Sequence, residues 1–471
     1  MTSAALPSPE RLAGLLASLE QGLLEREAAV RLCLLAALAG EHVLLIGPPG
    51  TAKSALARRL HGAIAETRYF ERLLTRFSTP EELFGPLSLK ALEDDRYERL
   101  TDGFLPTAGV AFLDEVFKAN SAILNALLTL LNEREFDNGT QRTRTPLVCV
   151  VAASNEVPSD DALQAFYDRF LLRVPVSPVA DGSFATLLAL DDAGAEAPAA
   201  LTLGERAAIT QAAAQVRLAP EFVAACQTLR HHLVETKQPS LSDRRWRQFV
   251  ALARTAAAAE GRSALDGYDL WLAPYVASAE PSAVPPLQQW FERTLLAAPS
   301  AEAPWLERAV QAFEQQLSIE QSMQGDEGDD AAGKMALARA IGRGDGGEGA
   351  GGAQRIVSAR LEAALRRRWS PVHIRCRVAQ VAEIEAQVGA ERVALQARAQ
   401  AQASALAPRL WWPPALRNRL AAQHAAALAM LDGVAARLAT TRASFGDLPC
   451  DSSATDATAP APVALESVAA P

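Results

Sequence analysis

The stretch that decides the fold of this chain is Gly47-Pro48-Pro49-Gly50-Thr51-Ala52-Lys53-Ser54. It follows the apolar run Val43–Ile46, which is typical of a buried strand. After it, Leu56, Leu60 and Ile64 recur every four residues and predict an apolar stripe on one face of a helix. A strand, a loop of small residues and a helix in this order are the context of a phosphate-binding loop. The alternative is a solvent-facing turn before a helix.

The residue types in this loop suit a nucleoside triphosphate. Small residues let backbone N–H groups close around the β- and γ-phosphates, and the start of the helix adds its positive end. We expect Lys53 to neutralise phosphate charge and the Ser54 hydroxyl to ligate Mg²⁺, so the predicted cofactors are ATP and Mg²⁺. Ala52 stands where the usual pattern has glycine, and we expect its methyl group to crowd the loop.

Three further apolar runs predict the rest of a parallel sheet, because strands that are covered on both faces are continuously apolar. They are Val110–Leu113, Leu147–Val151 and Leu171–Val176. A helix with one leucine-rich face, capped by Asn120 or Ser121, is predicted after the first of these runs. Strands that alternate with helices indicate an α/β fold with right-handed crossovers.

Two carboxylates, Asp114 and Glu115, end the predicted strand Val110–Leu113. Acidic residues at the carboxyl end of a buried parallel strand point into the crevice where ligands bind. We expect Asp114 to hold Mg²⁺ through water and Glu115 to polarise the water that attacks the γ-phosphate. Alternatively, the pair is the acidic start of a surface helix.

Two more polar residues stand where ATP hydrolysis needs them. Asn155 follows the apolar run that starts at Leu147, and an amide there can orient the lytic water and sense the γ-phosphate; the alternative is a capping residue. Arg169 precedes the last predicted strand, from which it can reach the nucleotide of an adjacent subunit and stabilise transition-state charge. The alternative for Arg169 is a surface ion pair with Asp168.

The composition excludes several classes of protein. The chain has 471 residues, of which 49% are apolar and 21% are charged, and this length predicts two or three soluble domains. The net charge of −9 disfavours nucleic acid as a partner. The five cysteines are scattered, which argues against a zinc site or a disulfide framework. The sequence shows no signal-peptide pattern and no apolar run long enough for a membrane span, so we expect a cytoplasmic protein.

Composition along the chain predicts four parts. They are an α/β nucleotide-binding core over residues 1–180, an all-α lid over 200–280, a helical bundle or arm over 285–445, and a disordered tail over 446–471. A Gly- and Asp-rich stretch at about 325–354 predicts a flexible linker within the arm, so we expect the arm to be dispensable for hydrolysis. Trp411-Trp412 is either an anchor for a protein contact or packed core between helices.

Further motifs accompany the phosphate loop in a fixed order. They are Phe112-Leu-Asp-Glu-Val-Phe-Lys-Ala-Asn120, Asn125-Ala-Leu-Leu-Thr-Leu-Leu-Asn-Glu-Arg134, Ala153-Ser-Asn-Glu156, Tyr167-Asp-Arg-Phe170 and Ser242-Asp-Arg-Arg-Trp246. Together they resemble AAA+ ATPases of the MoxR family, and within it the RavA-like branch, over about residues 15–275. The resemblance implies the αβα sandwich of an AAA+ P-loop domain, followed by an all-α lid and a C-terminal helical bundle or arm.

The resemblance also implies roles for single residues. Asn155 becomes the sensor-1 residue and Arg169 the arginine finger, which acts on the nucleotide of a neighbouring subunit. Arg244 takes the sensor-2 role and reaches the nucleotide from the lid, with the adjacent Arg245 as its rival. Glu115 remains the residue that activates water, so the implied activity is ATP hydrolysis.

Finally, the resemblance implies an assembly. Two inserts, Thr75–Phe104 and a hairpin over Asn132–Pro146, would face a central pore and contact clients, unless they are ordinary charged loops. The implied function is a homohexameric ring that remodels or activates unknown client proteins in a chaperone-like manner, with a von Willebrand factor A-domain protein as its partner. The alternatives are an activase for a metabolic enzyme and a nucleotide-switched assembly adaptor with little turnover. RavA-like proteins also carry a small β-rich domain, which is expected to be truncated or missing here.

Overall fold

A computed structural model describes residues 5–158, 160–190, 199–296, 304–323, 367–452 and 459–464. The chain divides into two compact units. The first contains Met1–Ala297 and Ser404–Asn418, and the second contains Ala298–Ala403 and Arg419–Pro471. The linker predicted at 325–354 lies outside the described residues.

The centre of the first unit is a sheet of five parallel strands, which confirms the predicted α/β fold. The first seven strands of the chain are Val43–Ile46 (β1), Tyr69–Leu73 (β2), Val110–Asp114 (β3), Glu135–Asn138 (β4), Gln141–Arg144 (β5), Cys149–Ser154 (β6) and Leu172–Pro175 (β7). The sheet has the order β2-β3-β6-β1-β7, while β4 and β5 pair as an antiparallel hairpin where the second insert is expected.

The strand β2 is absent from the sequence-based prediction. It lies at the edge of the sheet beside β3 and carries the charged residues Glu71 and Arg72. An edge strand has one neighbour and keeps polar side chains near solvent, so it lacks the continuous apolar run that marks a central strand. The strand β6 also begins at Cys149, two residues after the predicted start at Leu147.

Helices precede, connect and follow these strands. In chain order they are Pro9–Glu20 (α1), Glu27–Ala39 (α2), Lys53–Gly62 (α3), Pro80–Phe84 (α4), Leu89–Glu93 (α5), Ser121–Glu133 (α6), Asp161–Tyr167 (α7) and Asp181–Leu188 (α8). Asn120 rather than Ser121 caps α6, since the Asn120 Oδ1 accepts a hydrogen bond from the Ile123 N–H at 3.1 Å.

His42 joins three elements below the sheet. It is 3% exposed; its Nδ1 accepts from the Val150 N–H at 3.0 Å, and its Nε2 therefore donates to the Leu131 carbonyl at 3.1 Å. Burial lowers the pKa of His42 well below its usual value, and the charge of Arg134 lowers it further. A neutral His42 thus connects the start of β1 to β6 and to the end of α6.

The lid follows as a helical region. Its helices are Leu203–Ala213 (α9), Pro220–Glu235 (α10), Asp243–Ala259 (α11), Ala273–Ala277 (α12) and Val284–Phe291 (α13). The lid is helical as predicted, and two very short strands, Arg217–Leu218 (β8) and Ala264–Leu265 (β9), pair in parallel within it. Two residues are too few to leave a recognisable strand pattern in the sequence.

Residues 404–418 belong to the first unit rather than to one continuous arm over 285–445. Trp411 and Trp412 are 0% and 1% exposed, and the Trp411 Nε1 donates to the Ala256 carbonyl of α11 at 3.1 Å. The buried Arg409 binds Asp269 at 3.1 Å. The packed-core interpretation of the tryptophan pair is therefore correct, and these residues complete the core beside the lid.

The second unit is helical. It is built from Pro304–Ser322 (α14) and most of Pro371–Leu406 (α15) and Pro414–Gly446 (α16). The chain after α16 does not begin as a disordered tail at 446, because Leu448 is buried and the Trp369 N–H donates to the Pro449 carbonyl at 2.7 Å. The Asp451 N–H in turn donates to the Trp369 carbonyl at 2.8 Å.

Candidate nucleotide-binding site

The phosphate loop leaves the carboxyl end of β1 and enters α3 at Lys53. Gly47 cannot be replaced without movement, because a Cβ atom there would lie 2.0 Å from the Val176 carbonyl oxygen. Ala52 has φ 64° and ψ 23°, the left-handed conformation that favours glycine. The expected cost of Ala52 therefore lies in its backbone conformation, and it amounts to about 1–2 kcal/mol.

Lys53 lies inside the curve of this loop. Its Nζ donates to the carbonyls of Gly47 at 2.6 Å and Pro48 at 2.9 Å, and it lies 3.4 Å from the Asn155 Oδ1. The side chain is 7% exposed, and burial lowers the pKa of Lys53, while the carboxylates of Asp114 and Glu115 oppose that shift. An ammonium group held by two neutral carbonyls and an amide is available to bind an anion in the loop.

Asp114, Glu115 and Asn155 meet at the same edge of the sheet, because β3 and β6 are parallel neighbours. The Asp114 Oδ1 accepts from the Glu115 N–H at 2.9 Å, and the Asn155 Nδ2 donates to the Glu115 carboxylate. Glu115 has φ 51°, a left-handed conformation that is uncommon for a non-glycine residue and clusters at functional sites. Its second carboxylate oxygen lies 3.4 Å from the Lys118 Nζ.

Asn155 thus connects the cation of the loop to the carboxylate of β3. Its Oδ1 faces Lys53 and its Nδ2 binds Glu115, so the amide uses both of its ends in the site. The interpretation of Asn155 as a site residue fits these contacts better than the interpretation as a helix cap.

Ser54 and Asp114 are the candidate Mg²⁺ ligands. Ser54 lies in the first turn of α3 and Asp114 at the end of β3, both partly exposed. Among the described residues, no group of three or more His, Cys, Asp or Glu side chains is placed to hold a metal ion. Magnesium in nucleotide sites takes one or two protein ligands together with phosphate oxygens and water, so a hydroxyl and a single carboxylate fit it.

Arg26 is a residue of this site that sequence reasoning missed. Its side chain is 7% exposed, and it donates to the Thr51 carbonyl at 3.1 Å and to the Ser177 carbonyl at 2.6 Å. It thereby ties the phosphate loop to the chain that follows β7. Arg26 precedes α2 and is far from the loop in sequence, so no local pattern marks it.

Arg169 lies at the opposite edge of the sheet. The strand β7 runs parallel to β1 with Leu172 opposite Val43, so the chain just before Leu172 is beside the start of β1 and not beside its end. Asp168 pairs with Arg173 at 2.7 Å rather than with Arg169. Among the described residues, the Arg169 guanidinium makes no ion pair or side-chain hydrogen bond, and its buried Nε has no acceptor.

The two candidates for sensor 2 differ in their contacts. Arg245 is 8% exposed and donates to four backbone carbonyls, those of Asp168, Phe170, Leu171 and Val276. Arg244 is exposed, and its one side-chain hydrogen bond within the described ranges is to the Asn132 Oδ1 at 3.1 Å. Arg245 is thus a structural residue, and Arg244 is the member of the pair that is available to a ligand.

Arg244 also lies close enough to Arg169 to affect its ionisation. Burial lowers the pKa of Arg169 first, and the charge of Arg244 lowers it further. Asn132, the partner of Arg244, lies near the end of α6, a helix that runs back from the carboxyl end of β3. The structure therefore groups the two arginines at the amino edge of the sheet, away from the phosphate loop of the same chain.

The fold and the loop define a P-loop nucleotide-binding protein of the AAA+ class. Residues 10–213 match the family described as the MoxR domain in MoxR-vWA-beta-propeller ternary systems, and residues 221–291 match the AAA lid domain. The chain thus contains a MoxR domain followed by an AAA lid domain.

Individual proteins are similar over the same region. Two uncharacterized proteins of Methanocaldococcus jannaschii are each 54% identical over 151 residues, which is 32% of this chain and 40% of theirs. The protein MoxR of Paracoccus denitrificans is 31% identical over 171 residues, 34% of this chain and 48% of that protein. The chain therefore spans less than half the length of the curated relatives it matches.

A solved structure of a candidate ATPase from Cytophaga hutchinsonii superposes on 61% of this chain and 94% of its own, with a TM-score of 0.50 and 15% identity. At that identity the likeness supports the fold alone. No helix among the described residues is long and apolar enough to cross a membrane.

Proposed function

We propose that the chain hydrolyses ATP at the carboxyl edge of its sheet. The observation that supports this proposal is the continuous contact from Lys53 through Asn155 to Glu115, which links a phosphate-binding cation to a carboxylate that can act as a base. Gly47–Ser54 would bind the nucleotide phosphates, and Ser54 and Asp114 would hold Mg²⁺. The metal would neutralise charge on the phosphates.

Glu115 has the chemistry needed to activate water. A water molecule that donates a hydrogen bond to its carboxylate becomes a stronger nucleophile toward the γ-phosphate, and the carboxylate takes up the proton. Asn155 would hold both the carboxylate and the water in place, because its amide has a donor and an acceptor. Lys53 would exchange its contacts with loop carbonyls for contacts with phosphate oxygens.

The second part of the proposal is that Arg169 and Arg244 act on a neighbour's nucleotide. Both lie at the amino edge of the sheet, whereas the phosphate loop leaves the carboxyl edge. A head-to-tail contact between identical chains joins two different surfaces and closes into a ring when the rotation permits, here a homohexamer. Such a contact would bring the guanidinium of Arg169 to the phosphate loop of the neighbouring chain. Arg169 cannot reach the phosphate loop of its own chain.

We further infer that the ring acts on protein clients as a RavA-like member of the family, in the cytoplasm. The first insert exposes apolar side chains, since Phe77, Leu89 and Leu100 are 82%, 77% and 57% exposed. Exposed apolar clusters favour contact with other proteins. The family description names MoxR domains that work in systems with a von Willebrand factor A-domain protein, which supports such a protein as the partner here.

Two variants test the assignment of the hydrolytic site. Lys53→Ala is expected to lose most nucleotide affinity, measured by titration calorimetry, because the loop loses its cation. Glu115→Gln is expected to bind ATP normally and to stop phosphate release, because the amide keeps the shape but cannot accept the proton. Turnover of Glu115→Gln at the wild-type rate would refute the role of Glu115, and a wild-type protein that releases no phosphate would favour the adaptor alternative.

A further inference from the structure

The helix α8 carries an exposed apolar face. Phe184, Leu187 and Leu188 are 52%, 40% and 72% exposed, and Leu190 after the helix is 38% exposed. Spacings of three and four residues place the first three on one side of the helix. None of the residues of α8 is buried. A helix that exposes this much apolar surface is typical of a docking site rather than of a solvated surface.

The lid contains a groove of complementary character. It lies between α9 and α11, has a volume of about 980 Å³, and reaches to Glu41 just before β1. Its lining includes apolar side chains, among them Trp246, Val250 and Leu218, beside polar and charged ones. Leu218 itself is 41% exposed.

Arginines surround the groove. Arg244, Arg247 and Arg254 all line it from α11. Among the described residues, Arg247 and Arg254 form no ion pair, and the buried Nε of Arg254 has no hydrogen-bond acceptor. Glu41 and Asp243 line the groove as well, so three arginines face two carboxylates and the groove keeps an excess of positive charge.

The surroundings of α8 carry the opposite charge. Asp181 is in the first turn of α8, and Glu25 accepts a hydrogen bond from the Ala180 N–H at 3.0 Å beside it. That hydrogen bond lowers the pKa of Glu25, so its carboxylate is charged at neutral pH. An apolar helix face flanked by carboxylates matches an apolar groove bordered by arginines.

The two surfaces lie at opposite edges of the sheet. The helix α8 follows the carboxyl end of β7, on the side where Arg26 joins Thr51 to Ser177. The groove lies on the other side, with Glu41 and Arg244 in its lining. A head-to-tail contact that brings Arg169 to a neighbour's phosphate loop would therefore bring the neighbour's α8 toward this groove.

We propose that α8 of one copy docks into the α9–α11 groove of a second copy, and that this contact carries Arg169 and Arg244 of the second copy to the nucleotide of the first. The inference rests on the proposed function, because it assigns the surfaces of the same intersubunit site. A second copy of this chain fits the groove because one chain carries both complementary surfaces, α8 and the α9–α11 groove. These surfaces lie at opposite edges of the sheet, so they can meet between two copies.

Cysteine cross-linking of the full chain tests the contact. A Leu188→Cys variant is mixed with an Ala251→Cys variant in the presence of Mg²⁺ and ATP, and a mild oxidant is added. We expect a disulfide-linked dimer at least ten times more abundant than with either variant alone. The matched control replaces Ala251→Cys with Val223→Cys, an exposed residue of α10 outside the groove, and is expected to give only the background level.

A second variant uses assembly as the readout. Leu188→Lys is expected to raise the concentration needed for assembly at least tenfold by sedimentation, whereas Val234→Lys, also on an exposed apolar residue of a helix, is expected to leave it unchanged. If Arg169 and Lys53 variants complement each other in a mixture but the cysteine pair does not link above background, the docking inference is overturned and the proposed function stands. If complementation also fails, the action of Arg169 on a neighbour's nucleotide is overturned as well.

Discussion

Replacement of Arg169 by alanine tests whether this arginine promotes ATP hydrolysis in a neighbouring chain without a role in folding. Four residues of β7 separate the amino edge of the sheet from its carboxyl edge, a distance of about 13 Å at 3.3 Å per residue. Because of this separation, the side chain of Arg169 cannot reach the loop of its own chain. An arginine finger supplies a rate factor of about 10³ or more, so we expect Arg169→Ala to bind ATP normally and to release phosphate about a thousand times more slowly.

The same variant is expected to stay folded. The Arg169 side chain has no ion pair or side-chain hydrogen bond among the described residues, and the charge of Arg244 opposes it, so its removal should change the free energy of unfolding by less than about 0.5 kcal/mol. Arg173→Ala is the matched control. Arg173 pairs with Asp168 and lies 3.9 Å from the Tyr167 ring, so its loss should cost about 2 kcal/mol.

The assay is a mixture of Arg169→Ala and Lys53→Ala proteins. The first keeps an intact phosphate loop and the second keeps an intact arginine. With random assembly of equal amounts, about one interface in four combines the two, and the phosphate-release rate should approach about a quarter of the wild-type rate. Mixed assemblies that are demonstrated by sedimentation but remain as slow as either parent would refute the action of Arg169 on a neighbour.

Three further predictions concern stability. Ala52→Gly should raise the free energy of unfolding by about 1 kcal/mol, because glycine adopts φ 64° without strain. The control Ala55→Gly, inside α3, should lower it by about as much. Denaturant titration measures both changes. Burial raises the pKa of Glu41 to about 7. The stability that the protonated Glu41 contributes to the folded state is therefore fully present below pH 4.5 and is lost as pH rises through 7. At pH 8, Glu41→Gln should therefore raise the free energy of unfolding above that of wild type by up to about 3 kcal/mol. At pH 4.5 the two proteins should unfold at the same denaturant concentration. Trp411→Ala should lower the free energy of unfolding by about 3–5 kcal/mol, and an unchanged melting temperature would contradict its place in the core.

The fate of the C-terminal part illustrates a limit of sequence reasoning. The Gly- and Asp-rich composition around 325–354 predicts that everything after it is separable from the ATPase. The structure instead packs Trp411 and Arg409 into the first unit, so a truncation after Met323 removes part of that unit's core. Composition describes how a segment behaves by itself, and it contains no information about which distant surface the segment covers.

The amino-acid sequence by itself predicted which residues meet at the candidate nucleotide site. Gly47–Ser54, Asp114 and Asn155 are each tied to the end of a strand, and parallel strands place their carboxyl ends at one edge. Short-range patterns are sufficient here because the strand, the loop and the helix are consecutive in the chain. The composition of the same stretches also determined the fold class.

Only the tertiary structure decided which of the two adjacent arginines is buried and which is exposed. Arg244 and Arg245 are adjacent in sequence, yet a helix turns successive side chains by about 100°, so one faces four buried carbonyls and the other faces solvent. Arg26 contacts the phosphate loop, and Asp168 pairs with Arg173 instead of Arg169, because the folded chain brings these partners together. These outcomes depend on which acceptors distant segments bring within hydrogen-bond distance, and only the folded arrangement of the strands and helices determines that.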